Sequence, residues 1–287
     1  MVQRIRGVLI DLSGTLHIDE RVIPGSIEAV KRVLQSHSKS TTTTTTTATT
    51  TTAGGGLQVR FVTNTSKESA ASLRARLGRL GLPLPAEGET QMEDPVKIFS
   101  SLTAARTFLR SRSLRPLLLL SPNSLSDFAD LDTRDPNAVV IGLAPDAFHY
   151  ERLNEAFRLL VANPAAPLIA VNKSRYMKVA DGFLSLGAGA FVSALEFSSG
   201  RTAHVIGKPS QGFFQTVLDD IGCTADEAVM IGDDLVDDVG GAQAAGLRGF
   251  LVRTGKFRAE DEHHEQIHPD GIFNDLAAAI DHILSFH

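Results

Sequence analysis

The side chains best suited to chemistry in this sequence stand directly behind short apolar runs. Asp11 and Ser13 follow Val8-Leu9-Ile10, Thr63 and Asn64 follow Phe61-Val62, and Lys208 follows Val205-Ile206-Gly207. Asp233, Asp234, Asp237 and Asp238 follow Met230-Ile231-Gly232. Taken singly, each has an ordinary explanation. An aspartate after a strand usually caps a turn or helix, acids at a helix start are favoured by its dipole, and lysine and threonine are common on surfaces and in strands. As an ordered set they form an inventory for phosphoryl transfer. Two sources of carboxylate, with a backbone carbonyl and waters, supply the hard oxygen ligands that Mg2+ requires. The Lys208 ammonium and the Thr63 hydroxyl can hold the remaining phosphoryl oxygens and neutralise charge as the group moves.

For that set to meet, the apolar runs must be strands of one parallel sheet, because ligands of open α/β sheets bind beyond the carboxyl ends of the strands. Short apolar runs do alternate with helical periodicities, such as Ile27, Ala29, Val30, Val33 and Leu34, as βαβ units require. Five runs are expected as core strands: Val8 to Ile10, Val59 to Val62, His204 to Ile206, Val229 to Ile231 and Phe250 to Val252. Between the second and third, the runs Leu117 to Leu120, Val139 to Leu143 and Leu168 to Val171 are flanked by helical patterns at Leu102 to Leu109 and Tyr150 to Leu160. They predict an inserted domain. The expected fold is α/β, a doubly wound parallel sheet (Rossmann-like core) built from residues 1–88 and 201–287, with an α/β insert over 89–200. Within the core, residues 36–56 carry threonine from Thr41 to Thr52 broken only by Ala48. That tract cannot bury apolar surface and is expected as a disordered insertion at the amino end of a strand, away from the chemistry.

Composition narrows the function classes. With 287 residues, 43% of them hydrophobic, the chain can bury an ordinary core. A formal charge of -5 and a pI near 6.0, without a basic cluster, give no footprint for nucleic acid. The opening run after Met1 to Arg6 is short and broken by Asp11, so neither a secretory signal nor a membrane span is expected, and the cytoplasm is the default location. A single cysteine, Cys223, cannot close a disulfide within the chain and suits a reducing compartment. No Gly-x-Gly-x-x-Gly follows the first strand, and Pro209 stands where a P-loop has serine or threonine after its lysine.

The ordered set resembles the four motifs of the haloacid dehalogenase superfamily of phosphohydrolases, over essentially the whole chain outside the threonine tract. The resemblance implies a covalent aspartyl-phosphate on Asp11, a phosphate-binding hydroxyl at Thr63, the family lysine at Lys208 and metal-handling acids at Asp233 and Asp238. Mg2+ is the implied cofactor, held by Asp11, the backbone carbonyl of Ser13 and Asp233, with Asp238 behind them orienting a water. The insert resembles the large α/β cap of one subgroup through Ile98 to Ala105, Asp146 to Tyr150, Asp181-Gly182 and Gly187-Ala188-Gly189. Such caps imply a homodimer.

One position departs from the common pattern. Most phosphatases of this superfamily have a second aspartate two residues after the nucleophile, where it protonates the leaving group; here Ser13 stands there. A serine hydroxyl is a poor acid near neutrality, so a contribution of roughly 10²- to 10⁴-fold from general acid-base catalysis is at stake. Alkyl monoesters, whose alkoxide leaves badly, should suffer most, whereas phosphoanhydrides and N-P bonds depend less on that acid. Relatives within the subgroup carry serine there too, so a slow hydrolase of pyrophosphate-like or phosphoramidate-like bonds is expected. The alternatives are a monoester phosphatase of the same capped class and a phosphoryl-ligand-binding protein with negligible turnover. The expected partner is a small phosphorylated substrate, with phosphoprotein side chains as a further class. Specificity is expected from the polar, basic loop that follows Val171, namely Asn172, Lys173, Arg175, Tyr176 and Lys178, alongside Asn64 in the core.

Overall fold

The computed structural model describes residues 4–38, 56–84, 96–178 and 183–286. Most of the threonine tract, the expected boundary at residue 89 and the Asp181-Gly182 motif lie outside the described residues. Two compact units emerge: Met1–Val62 with Gly78–Ile98 and Gln215–His287, and Thr63–Leu77 with Phe99–Phe214.

The larger sheet has six strands in the order Gly271–Phe273, Arg248–Val252, Ala228–Gly232, Gly7–Asp11, Gln58–Thr63, Lys97–Ser100. The pairings from Gly271–Phe273 across to Gln58–Thr63 are all parallel. Counted along the chain, the order is sixth, fifth, fourth, first, second, third, which is the doubly wound arrangement. Its direction of winding reverses between Gly7–Asp11 and Ala228–Gly232, where chain connections leave a crevice at the carboxyl ends. Both strands are buried along their whole length. Their near-continuous apolar sequences, Gly-Val-Leu-Ile and Ala-Val-Met-Ile, are what a strand covered on both faces requires. With Ile10 opposite Ile231, Asp11 and Gly232 end the two strands abreast, and Asp233 comes next.

The second unit has its own four-stranded parallel sheet, ordered His204–Val205, Leu168–Ala170, Ala138–Ile141, Pro116–Leu119. Alternate side chains of Ala138–Ile141 feed opposite faces. Ala138 and Val140 meet Leu102, Ala105 and Leu109 of the helix Ser101–Ser111, while Val139 and Ile141 meet Ala156 and Leu160 of Tyr150–Ala162 and Val192 and Leu195 of Gly189–Ser199. Sheet and helices thus form a separate α/β core.

This sheet corrects one sequence expectation. The run His204 to Ile206 is not a strand of the larger sheet; His204–Val205 pairs with Leu168–Ala170, and Ile206 joins the apolar cluster of Leu102, Val140 and Ile169. Two strands that periodicity did not mark, Lys97–Ser100 and Gly271–Phe273, take the outer places of the larger sheet. Among the described residues, no helix is long and apolar enough to cross a membrane.

Leu9 is fully buried in the strand that carries Asp11. Leu9→Ala is expected to lower the unfolding free energy by roughly 2–5 kcal/mol in urea denaturation, since the flanking strands cannot collapse into the space left behind. A loss under about 1 kcal/mol would contradict the packing described for this strand.

Candidate active site

In the first unit, Asp11, Asp233 and Asp238 present carboxylate oxygens that all lie within 4.8 Å of one another. Asp11 ends one strand of the winding reversal and Asp233 follows the other, so the topology itself delivers two of the three. Asp238 arrives one turn later, on a π-type turn over Leu235–Gly240 whose Leu235 and Val239 are anchored against Leu251. All three acids are buried, with Asp233 only 2% and Asp238 only 1% exposed. A solvated helix start therefore does not account for the acidic run.

The segment from 233 to 238 is braced internally. Asp234 caps the turn, its side chain accepting from the N–H groups of Val236 at 3.0 Å and Asp237 at 2.9 Å. Its own N–H donates to Asp238 Oδ2 at 3.1 Å. A third stretch of chain closes the site, the loop after Arg248–Val252. Thr254 Oγ1 donates to the Gly14 carbonyl at 2.5 Å, the Lys256 N–H donates to Asp233 Oδ2 at 2.7 Å, and Lys256 Nζ lies 2.7 Å from Asp234 Oδ2. Gly14 and Gly255 permit this crowding. Both have positive φ, +97° and +54°, and a Cβ on either would run into the Asp233 carboxylate.

Electrostatics follows from the geometry. Burial first, and the Asp11 charge second, push the Asp233 carboxyl well above the usual range. Burial works in the same sense on Asp234, but the Lys256 ammonium outweighs it and holds that group below its ordinary value. Lys256 is raised in turn: burial disfavours its charge, and Asp234, then Asp233 and Asp237, more than compensate. Three buried carboxylates and no soft ligand make a donor set for a hard divalent cation, and Mg2+ fits it.

Ser13 is exposed, and its backbone bridges toward His17. Thr63, Asn64 and Lys208 belong to the second unit. Thr63 and Lys208 are buried, and the Thr63 hydroxyl accepts the Thr65 N–H at 3.1 Å. The Asn64 side chain clasps the Lys208 backbone: its Nδ2 donates to the Lys208 carbonyl at 2.8 Å and its Oδ1 accepts the Lys208 N–H at 2.9 Å. Asn172, also buried, donates to the Asn64 carbonyl at 3.0 Å. Farther along, Lys173 is paired with Glu196 at 2.6 Å, Arg175 is exposed, and Tyr176 and Lys178 lie half-buried on the short strand Tyr176–Lys178, paired with Leu184–Leu186. Sequence reasoning missed the Thr254-Gly255-Lys256 loop. The signal was there, because the loop follows Phe250 to Val252, a strand marked by its apolar run.

Known proteins bear on this site. A family model described as haloacid dehalogenase-like hydrolase matches residues 8–134, and one described as HAD-hydrolase-like matches residues 205–279. Haloacid dehalogenase-like hydrolase domain-containing protein 2 of Bos taurus is 47% identical over 280 residues, covering 98% of this chain and 96% of that protein. Phospholysine phosphohistidine inorganic pyrophosphate phosphatase of Bos taurus is 41% identical over 284 residues, covering 98% and 94%. Among solved structures, glycerol phosphate phosphatase from Mycobacterium tuberculosis in complex with magnesium aligns with a TM-score of 0.73 at 26% identity, covering 96% of this chain and 77% of that one.

The displaced carboxyl of Asp233 makes a testable statement about the metal-free protein. Below the ordinary carboxylate range, folded and unfolded chains both carry the proton and no penalty exists. As pH rises, the unfolded chain ionises first, and stability is lost until the raised folded value is passed. Asp233→Asn removes that penalty. In chelator at neutral pH the variant should melt above the unsubstituted protein, and the gap should close below about pH 4. Equal melting temperatures at neutral pH would contradict the assigned burial and repulsion.

Proposed function

The chain belongs to the haloacid dehalogenase-like hydrolases, and we propose that it is a Mg2+-dependent phosphohydrolase that works through an aspartyl-phosphate on Asp11 and favours phosphoanhydride and N-P bonds. The observation that carries this reading is the convergence of Asp11, Asp233 and Asp238, buried, at the reversal point of the sheet. In the reaction, a carboxylate oxygen of Asp11 attacks phosphorus, the leaving group departs, and water then hydrolyses the acyl phosphate to regenerate Asp11. Asp11, the Ser13 carbonyl and Asp233 would hold Mg2+, with Asp238 behind them; the bound ion would neutralise charge on the phosphoryl oxygens. Lys208 and Thr63 take the roles of phosphoryl-oxygen donors. Asn64, whose side chain is engaged with the Lys208 backbone, acts by fixing where the ammonium starts from.

The bond preference rests on Ser13 and on a relative. Without a carboxylic acid at that position, leaving groups that need no proton from the enzyme are favoured: phosphate, and an amine whose N–P nitrogen has already taken a proton from solvent, qualify where alkoxides do not. The similarity to a phospholysine phosphohistidine inorganic pyrophosphate phosphatase supports the same choice. Phosphohistidine or phospholysine side chains then stand beside small phosphorylated molecules as substrates. The smaller sheet and its helices, most of which fall within the insert expected over 89–200, take the part of the cap. Lys173 is paired with Glu196, so Arg175 and Lys178, with Tyr176 between them on the same loop and strand, are the candidates for substrate contact. The alternative, a monoester phosphatase, draws on the likeness to a glycerol phosphate phosphatase.

Phosphate release from pyrophosphate, imidodiphosphate and a panel of sugar phosphates, with Mg2+ present, distinguishes the two readings. Pyrophosphate and imidodiphosphate should be turned over faster; a sugar phosphate that outruns both would select the monoesterase. Asp11→Asn should abolish Mg2+-dependent release, and turnover that persists in that variant removes Asp11 as nucleophile. Ser13→Asp is expected to raise kcat/KM for alkyl monoesters more than for pyrophosphate, by as much as about 10²-fold if the new carboxyl reaches the leaving oxygen.

A further inference from the structure

Lys256 has no place in the phosphohydrolase reading so far, yet the chain has gone to some length to place it. Its side chain is 17% exposed and its ammonium sits 2.7 Å from Asp234 Oδ2. Its backbone N–H donates to Asp233 Oδ2 at 2.7 Å. The residue before it is a glycine in the left-handed region, where any side chain would strike Asp233, and the residue before that donates its hydroxyl to the Gly14 carbonyl. The loop is therefore fastened to both acid-bearing segments. Around it the sequence gathers five carboxylates, Asp11, Asp233, Asp234, Asp237 and Asp238, four of them buried. A cation placed there attracts all of them at low dielectric.

We infer that Lys256 is a resident counter-ion of the magnesium site: a positioning residue whose ammonium offsets the repulsion among the carboxylates of the 233–238 segment before metal arrives and, by competing for the same negative charge, keeps Mg2+ binding exchangeable. The inference rests on the metal reading given above and adds a regulator of affinity to it. Two contacts separate the tasks of this residue. The bond to Asp233 comes from the backbone and survives any side-chain change, as do the caps that Asp234 makes to Val236 and Asp237. The ammonium alone carries charge. Removing it leaves the ligand geometry braced while making the site more negative, so the ion that replaces it should be bound more tightly. A lysine that served only to hold the loop in place would give the reverse result, weaker binding.

The test is calorimetric titration of Mg2+ into chelator-stripped, substrate-free protein, together with thermal melts in chelator. Lys256→Met and Lys256→Gln should bind Mg2+ about threefold or more tightly than the unsubstituted protein, and should melt lower without metal. Lys256→Arg, which keeps the charge, should stay within about twofold in affinity. Unchanged or weaker Mg2+ affinity in both neutral variants overturns the role. Where a neutral variant does not fold without metal, recovery of its native circular-dichroism spectrum on adding Mg2+ supports the role, and failure to recover it overturns it. Absence of Mg2+ uptake by the unsubstituted protein sinks the metal site and this role together; tight uptake with unaltered affinity in the variants sinks this role alone.

Discussion

Mutual repulsion among three buried carboxylates is the constraint that organises this site. Unit charges within 4.8 Å of one another at an effective dielectric near 20 repel by about 3.5 kcal/mol or more per pair, and desolvation adds to that. An ordinary core does not collect three such acids as Asp11, Asp233 and Asp238, and a cation is the partner that would offset the arrangement. The nearby Lys256 ammonium offsets part of that repulsion in the protein alone, and a divalent ion would offset more. A cation bound there would therefore be coupled to the local fold through one charge balance.

The fold makes the arrangement possible by separating its tasks. Two fully buried strands fix the positions of Asp11 and Asp233 with apolar packing that is indifferent to charge. The π-type turn brings Asp238 back toward the strand end, and its apolar residues lock onto Leu251 of the neighbouring strand. Close approach is then left to glycine at positions 14 and 255 and to backbone hydrogen bonds, which do not titrate. Because rigidity comes from elements that carry no charge, the charges can be changed by a substrate or an ion without unseating the side chains that bear them.

How much of this could be read from residues alone depended on the length of the apolar run behind each group. Asp11 and Asp233 were legible because each follows a run of at least three apolar residues that only a doubly buried strand explains. His204 to Ile206 was misplaced by the same logic. A strand this short carries no information about which sheet it joins, and its apolar neighbours proved to be Leu102, Val140 and Ile169 of the smaller core. Lys97–Ser100 and Gly271–Phe273 were silent because outer strands need fewer apolar residues. Lys256 was invisible for a different reason: a lysine four residues past a strand looks like any surface lysine until the loop is seen to fold back onto two acids.

Asn64 shows a related limit. From its position beside Thr63 it reads as a phosphate donor, but both polar atoms of its side chain engage the Lys208 backbone across 144 residues of sequence. An amide presents one donor and one acceptor group on the same side chain, and a peptide segment offers the complement, so the pairing fixes orientation as well as position. Aspartate at 64 would lose the donor and repel the Lys208 carbonyl. The lysine thus has its backbone gripped by a neutral group, whereas Asp11 and Asp233 of the other unit are placed by two buried strands. In both cases the chain supports a charged group through neutral contacts, which is how a site can be electrostatically strained and still structurally unique.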